Sequence, residues 1–540
     1  MTRPGGRFVP RAGVTAWLAR SLGTLRATPW YPTAFASGLV LAFHMASGVH
    51  LFASLRALVL AALAVALLQL TATAVLRDRH RAALLITVVL VVTFGWQALV
   101  LVALVPQVRW YLLLFLPSAA LLAAALLRRR RDPASSLFDA TRASLLLGRL
   151  PPALIAAVLL FGLTTGALAQ DVRDLGLVPD GAVARAQASA DGAPDIWLIL
   201  LDGHARHDTL ARLFAYDDGP FLEALAARGF EVSPRSRSNY TLTELTLPSL
   251  FHMVPLDRIE ALAPLLSGRE ARVQPTLRST LNRNPVFDLL RGRGYEIVTS
   301  APPYEDVTLR SADRYLDDGQ VNEFELHVMR STLLLDLVDR LAPDLLSEQH
   351  RQRLLSAYRH IELESERSVP FPRFEFIHVV GPHMPAVFDA DGSPVRAPNT
   401  FNWYSDTIVD RDIDAAEFAR QYIGQLRYLD ELTVAAVERI VSADPQAVVI
   451  VFSDHGSRSR LDIGHPESSD FDEALATLFA ARTPGHEDLF PDTITLVNLF
   501  PILFNAYFGL DLPTSPDRTY TPADGPIFQL HEVPSPDAGT

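Results

Sequence analysis

No cysteine occurs in the 540 residues, which removes disulfides, thiolate metal sites and thiol nucleophiles from consideration. Lysine is also missing, so every fixed cation is an arginine. Lack of disulfides does not argue against an extracytoplasmic location, because a large domain can be stable on its core alone. Acidic residues outnumber basic ones, giving a formal charge of −12. Nucleic-acid binders instead carry basic faces that neutralise phosphates, so nucleic acid is excluded as a partner. No internal repeat or low-complexity tract is present.

What is there falls into two halves. Up to residue 169 the chain is dominated by Leu, Ala and Val runs broken by Arg clusters; from residue 170 it becomes acidic, aromatic and mixed. A spanning helix needs roughly 20 mostly apolar residues. Five stretches fit: Tyr31 to His50, Ala57 to Leu76, Ala83 to Val105, Tyr111 to Leu127 and the shorter, uncharged Pro152 to Ala169. Arginines cluster before the first, between the second and third (Arg77-Asp78-Arg79-His80-Arg81), and after the fourth (Arg128 to Arg131, Arg142, Arg149). The other two connections carry only Arg56 and Arg109. The positive-inside rule then predicts a multi-pass protein of the cell (inner) membrane, its N-terminus cytoplasmic. An odd number of spans puts everything after residue 170 outside. The sequence Gly166-Ala167-Leu168-Ala169 looks like a signal-peptidase site, but it is internal and follows four spans, which favours retention. A transport role is disfavoured because the spans hold almost no ionisable group besides His44. Residues 1–169 are thus read as a membrane anchor.

Residues 170–194 read as a linker, rich in Asp, Ala and Gly. Beyond them short apolar runs alternate with longer amphipathic stretches, the pattern of an α/β domain with a mostly parallel central sheet. Strands are expected at 196–201, 295–299, 374–380 and 447–452, and helices at 415–441 and 496–508. The stretch 331–366 reads as helical without identifiable chemistry, and 511–540 as a Pro- and Asp-rich extension over the surface.

Three strands run into side chains that bind metals: Asp202-Gly203 after the first, His378 to His383 after the third, and Ser453-Asp454-His455-Gly456 after the fourth. Open α/β sheets bind ligands beyond the carboxyl ends of their strands. Singly each is weak, since an Asp after a strand is most often a cap and a lone His most often a satisfied core residue. A carboxylate beside an imidazole suits zinc or manganese better than calcium, which prefers oxygen ligands only.

Together these residues resemble the alkaline phosphatase/sulfatase superfamily over residues 195–510. The shared order is a strand-terminal acid (Asp202), a hydroxyl or thiol nucleophile opening a helix, His378-x-x-x-x-His383, Ser453-Asp454-His455-Gly456, and a later histidine, His465. The layout is similar to phosphoethanolamine transferases and lipoteichoic acid synthases, which also place five spans before an extracytoplasmic catalytic domain. Thr243 stands five positions before Pro248, the offset of the transferases' nucleophile; Thr246 is the rival, although Thr246 as N-cap with Pro248 in the first turn is its structural reading.

The resemblance implies one divalent ion, zinc or manganese, with a second possible, held by Asp202, Thr243, Asp454 and His455. It assigns catalysis to Thr243, His383 and His465, and substrate binding to His378, His383 and His465. It implies a membrane phospholipid donor and a glycan or lipid acceptor. The formylglycine route of sulfatases is disfavoured: there is no Cys, and the motif's Arg position holds Leu247 or Leu250. A phosphoester or sulfoester hydrolase of the same fold, and a non-catalytic membrane protein, are the alternatives. His204, His207 and Asp208, just past Asp202, could extend the metal site or be solvated.

Overall fold

A computed structural model describes residues 28–47, 49–95, 144, 147, 193–269, 273–396, 407–408, 413–462, 465–522 and 529–533. Two units emerge from the contacts: one of Met1–Ser47, Leu51–Gly166 and Phe324–Asp336, the other holding the rest.

In the first unit, Leu, Ala and Val runs form helices α1 (Tyr31–Ser47), α2 (Leu51–Leu76) and α3 (Arg79–Phe94). These fall on the first three expected spans. Among the described residues, α2 alone is long and apolar enough to cross a membrane; α1 has 17 residues and α3 has 16. Helix α2 starts six residues before the expected Ala57 and takes Arg56 into its second turn. The fourth and fifth expected spans lie outside the described residues. Asp78, amid the basic cluster, caps α3 by accepting from the amides of His80 (3.0 Å) and Arg81 (3.1 Å). Ala36, Val65, Ile86 and Leu90 form the unit's core. Leu60, Leu63, Leu67 and Leu68 of α2 point outward, between 52% and 67% exposed.

The second unit is built on a seven-stranded sheet. Its strands are β1 (Ile196–Leu201), β2 (Glu231–Val232), β3 (Glu296–Ser300), β4 (Arg314–Leu316), β5 (Arg373–Val379), β6 (Val448–Phe452) and β7 (Phe479–Arg482), ordered β2-β7-β6-β1-β5-β3-β4. Strands β6, β1, β5, β3 and β4 are parallel, while β7 runs antiparallel to its neighbours. All four expected strands are present. Strands β1, β5 and β6 are buried along their whole length, which is why they read as continuous apolar runs rather than alternating ones. Leu200 sits opposite both His378 and Phe452, so the central strands end level.

The helices used below are α4 (Thr243–His252), α5 (Glu323–Arg330), α6 (Leu334–Leu341), α7 (Leu345–Ser365) and α8 (Ala415–Ala443). Asp414 caps α8 through the Glu417 amide at 2.8 Å, and Phe418, Tyr422, Leu426, Leu429, Val437 and Ile440 form its buried stripe. Phe251, on α4, meets Phe376 of β5 edge-on with ring centroids 5.4 Å apart. Within the C-terminal extension, β8 (Thr519–Pro522) pairs with β9 (Leu530–Val533). Tyr520 stacks on Tyr240 at 5.6 Å and donates its amide to the Asn239 carbonyl, so this segment braces the chain leading into α4.

Candidate metal centre and nucleophile

The level ends of β1 and β6 deliver Asp202, Asp454 and His455 to one place. His455 Nε2 lies 3.3 Å from Asp202 Oδ1 and 3.6 Å from Asp454 Oδ2, and all three side chains are fully buried. Two glycines make this approach possible. Gly203 has φ +76, and a Cβ there would stand 3.5 Å from the His455 ring. At Gly456 a Cβ would fall 1.9 Å from the Glu473 carbonyl oxygen, so no side chain fits. Glu473 also secures the loop after the ligands, accepting from the amides of Ser459 (2.7 Å) and Arg460 (3.0 Å).

The polar atoms that converge here lack hydrogen bonds. Asp202 Oδ1, both carboxylate oxygens of Asp454, and His455 Nε2 are buried without a hydrogen-bond partner. Unpaired buried carboxylates are costly, and a divalent cation is the group that would satisfy them together. The imidazoles are oriented accordingly. His455 Nδ1 donates to the Gly456 carbonyl at 2.8 Å and His383 Nδ1 to the Met384 carbonyl at 2.6 Å. Each ring's Nε2 is thereby turned inward, the arrangement that backbone carbonyls impose on metal-ligating histidines. The ligand-capable atoms of Asp202, His383 and His455 lie within 4.8 Å of one another, so the residues fit an ion.

Electrostatics agree. Burial pushes the Asp202 carboxyl upward, but His383, the hydrogen bond from His378 and the nearby His455 ring hold it well below the usual carboxylate range. Burial and then Arg458 push His455 down, and Asp454 and Asp202 outweigh both, leaving it raised. Positive charge is favoured at this point of the fold.

The remaining expected residues divide. His378 is buried on β5 and donates Nε2–H to Asp202 Oδ2 at 3.0 Å. That contact holds the Asp202 carboxylate, whereas the resemblance implied substrate binding for His378. His383 joins the cluster, and its amide donates to the Asp202 carbonyl at 2.9 Å. His465 does not join it: its side chain is 69% exposed and pairs with Glu467 at 3.4 Å. The resemblance fixed its order along the chain but not the course of its loop.

Thr243 is buried as the first residue of α4, after an extended Leu242. Thr246 is not the N-cap expected of its structural reading. The helix begins three residues earlier, and Pro248 lies inside it. The Thr246 hydroxyl instead faces the carbonyls of Asp454 (3.2 Å) and Tyr240 (3.3 Å), fixing α4 to the loop that carries the candidate ligands. His204 turns away, its Nε2 3.0 Å from Asp430 Oδ1 on α8. His207 pairs with Asp218 and Asp208 with Arg206, so neither extends the cluster.

Two residues escaped sequence reasoning. Arg458 is buried in a left-handed turn (φ +53), its Nη1 donating to the Thr241 carbonyl at 2.8 Å and its Nη2 lying 3.3 Å from His383 Nε2. Glu244 follows the candidate nucleophile; burial raises its carboxyl, against the pull of Arg458 and His455. Both sit within three residues of a quoted motif, which was the available signal.

Residues 194–477, just over half the chain, match the Sulfatase family model. Among curated proteins none matches. Solved structures similar to this chain include the zinc complex of the C-terminal periplasmic domain of EcEptC from Escherichia coli, at 13% identity and TM-score 0.37, covering 58% of this chain and 82% of that one. Another is the integral membrane lipooligosaccharide phosphoethanolamine transferase A from Neisseria meningitidis, at 13% identity and TM-score 0.36, covering 73% and 74%. A third is the phosphonate monoester hydrolase of Agrobacterium radiobacter, at 14% identity and TM-score 0.38, covering 61% and 80%.

Proposed function

As a member of the sulfatase family, within the alkaline phosphatase-like superfamily, the chain is a hydrolase or transferase, and we propose that it is a membrane-bound phosphotransferase. It moves a phospho-alcohol group from a phospholipid donor, through a Thr243-linked intermediate, to a glycan or lipid acceptor. The observation that carries this reading is the set of unpaired buried atoms on Asp202, Asp454 and His455 beside the helix that Thr243 opens.

Asp202, Asp454, His455 and the Thr243 hydroxyl would hold the divalent ion, zinc or manganese. Bound there, such an ion acidifies the hydroxyl and offsets charge on phosphoryl oxygens. The position of Thr243 at a helix N-terminus adds positive potential in the same sense. Thr243 Oγ then forms a bond to phosphorus as the bond to the lipid alcohol breaks. His383 Nε2 takes the proton that Thr243 Oγ gives up and passes it to the departing alcohol oxygen. Arg458 binds a non-bridging phosphoryl oxygen, for which its planar fork is suited. In the second half the acceptor hydroxyl gives its proton to His383 and takes phosphorus from Thr243, and His383 returns that proton to Thr243 Oγ, restoring the free side chain.

The membrane placement draws on α2. Arg56, near its start, pairs with Glu325, and its far end leads into Arg77, Arg79 and Arg81. That asymmetry supports a cell (inner) membrane location with the basic end cytoplasmic and the catalytic portion outside.

The test is incubation of the purified protein with phospholipid labelled in its head group. Label found on the protein at Thr243 and then in a lipid or glycan acceptor is expected. Label appearing only in water-soluble product would replace transfer with hydrolysis.

A further inference from the structure

Helix α6 (Leu334–Leu341) takes no part in the chemistry and has no buried residue. Its leucines are nevertheless aligned. Leu334, Leu337 and Leu341, continued by Leu345 at the start of α7, are 39%, 42%, 82% and 39% exposed. Spacings of three and four residues put Leu334, Leu337 and Leu341 on one side of α6, while Asp336, Asp339 and Arg340 occupy other directions, and Leu345 follows the turn at 342–344. A stripe of exposed leucines marks a surface covered by something other than water.

The chain around α6 says what covers it. Residues Phe324–Asp336 belong to the same unit as the three apolar helices. Glu325 pairs with Arg56 of α2. His327 meets Phe43 at 5.8 Å, and Phe324 meets His44 at 6.4 Å, both near the end of α1. The Leu333 amide donates to the carbonyl of Thr93, next to last in α3, at 3.0 Å. One end of each of α1, α2 and α3 is thus tied to this segment, and α6 begins at the next residue. At about 1.5 Å of rise per residue, Leu341 is only about 11 Å further along the helix axis than Leu334.

We propose that α6 lies in the plane of the membrane surface, with Leu334, Leu337 and Leu341 seated at the boundary between head groups and acyl chains. Its occupant is lipid, not a protein partner or a second copy. Recruitment is apolar: α6 carries two acids and one arginine, so anionic lipid is not required, unlike the basic amphipathic helices that depend on it. The inference rests on the membrane reading of α1–α3 and is independent of the catalytic one.

The cysteine-free sequence allows a direct test. Leu337→Cys, Leu341→Cys, Asp336→Cys and, as a control in the middle of α2, Leu63→Cys are each labelled with a nitroxide in the full chain, reconstituted in phosphatidylcholine nanodiscs. Collision rates with oxygen, which concentrates in lipid, are compared with those of a water-soluble nickel chelate. Melting temperatures equal to the parent's confirm folding. The expected result is a ratio of oxygen to nickel access several-fold higher at 337 and 341 than at 336, with 63 also lipid-exposed. Nickel-favoured labels at 337 and 341, or labels shielded from both reagents as in a protein contact, overturn the proposal while position 63 stays lipid-exposed. A nickel-favoured label at 63 removes the membrane reading, and the proposal with it.

Discussion

His378 Nε2 donates to Asp202 Oδ2 across 3.0 Å, leaving Oδ1 of the same carboxylate to face His455. One oxygen is held so that the other is aimed. His378→Ala should therefore weaken zinc or manganese binding by about 10–100-fold, the usual cost of losing such an outer partner. His378→Asn, which keeps a donor, should recover part of it. Metal titration by calorimetry reads this, and unchanged affinity in the Ala variant would remove the orienting role.

Thr243 and Thr246 separate by what their hydroxyls do. Thr243→Ala should abolish turnover while folding and metal content stay largely intact. Thr246→Val loses contacts to the Asp454 and Tyr240 carbonyls, costs about 0.5–1.5 kcal/mol of stability, and should keep most of its turnover. The opposite pattern of rates would make Thr246 the nucleophile.

Arg458 is predicted to act on the phosphoryl group. Arg458→Ala should lower kcat by about 10²–10³-fold, as loss of a preorganised donor does. Arg458→Lys keeps the charge but not the fork and should fall between. Equal rates for parent and Ala variant would leave Arg458 as a tether for the Thr241 carbonyl alone.

Stability should depend on pH through Glu375 on β5. Burial pushes its carboxyl up to about 8, Glu364 adds to this, and Arg373 counters only in part. The folded chain thus holds this proton more tightly than the unfolded one, whose ordinary value is 4.5. The stabilisation is complete below the unfolded value and is lost as pH rises through the folded one. Glu375→Gln should melt near the parent's temperature at low pH and above it at high pH, by about 2–4 °C for each kcal/mol regained. A parallel shift at every pH would contradict the assignment.

The sheet and its ligand-bearing ends were legible because apolar runs such as Ile196–Leu201 stop at Asp202, and burial on both faces leaves that mark in composition. Helix α8 was legible from its three- and four-residue spacing. Arg458 was not, since its place comes from a left-handed turn and from His383, 75 residues away in sequence. Thr246 was misread as a cap because Pro248 favours a first turn, whereas α4 begins at Thr243 without a side-chain cap. The start of α2 was set too late because Arg56 was counted as a loop charge; its partner, Glu325, is 269 residues distant.

That ion pair bears on how the protein can be divided. Phe324 is fully enclosed, its ring meets His44, and Arg56 neutralises Glu325. Expressing the chain from residue 193 onward would remove His44 and Arg56, baring the Phe324 ring and breaking the ion pair to Glu325. Because Phe324–Asp336 groups with the first three helices, a cut at residue 193 leaves a piece of the first unit attached to the second, its apolar side newly bared.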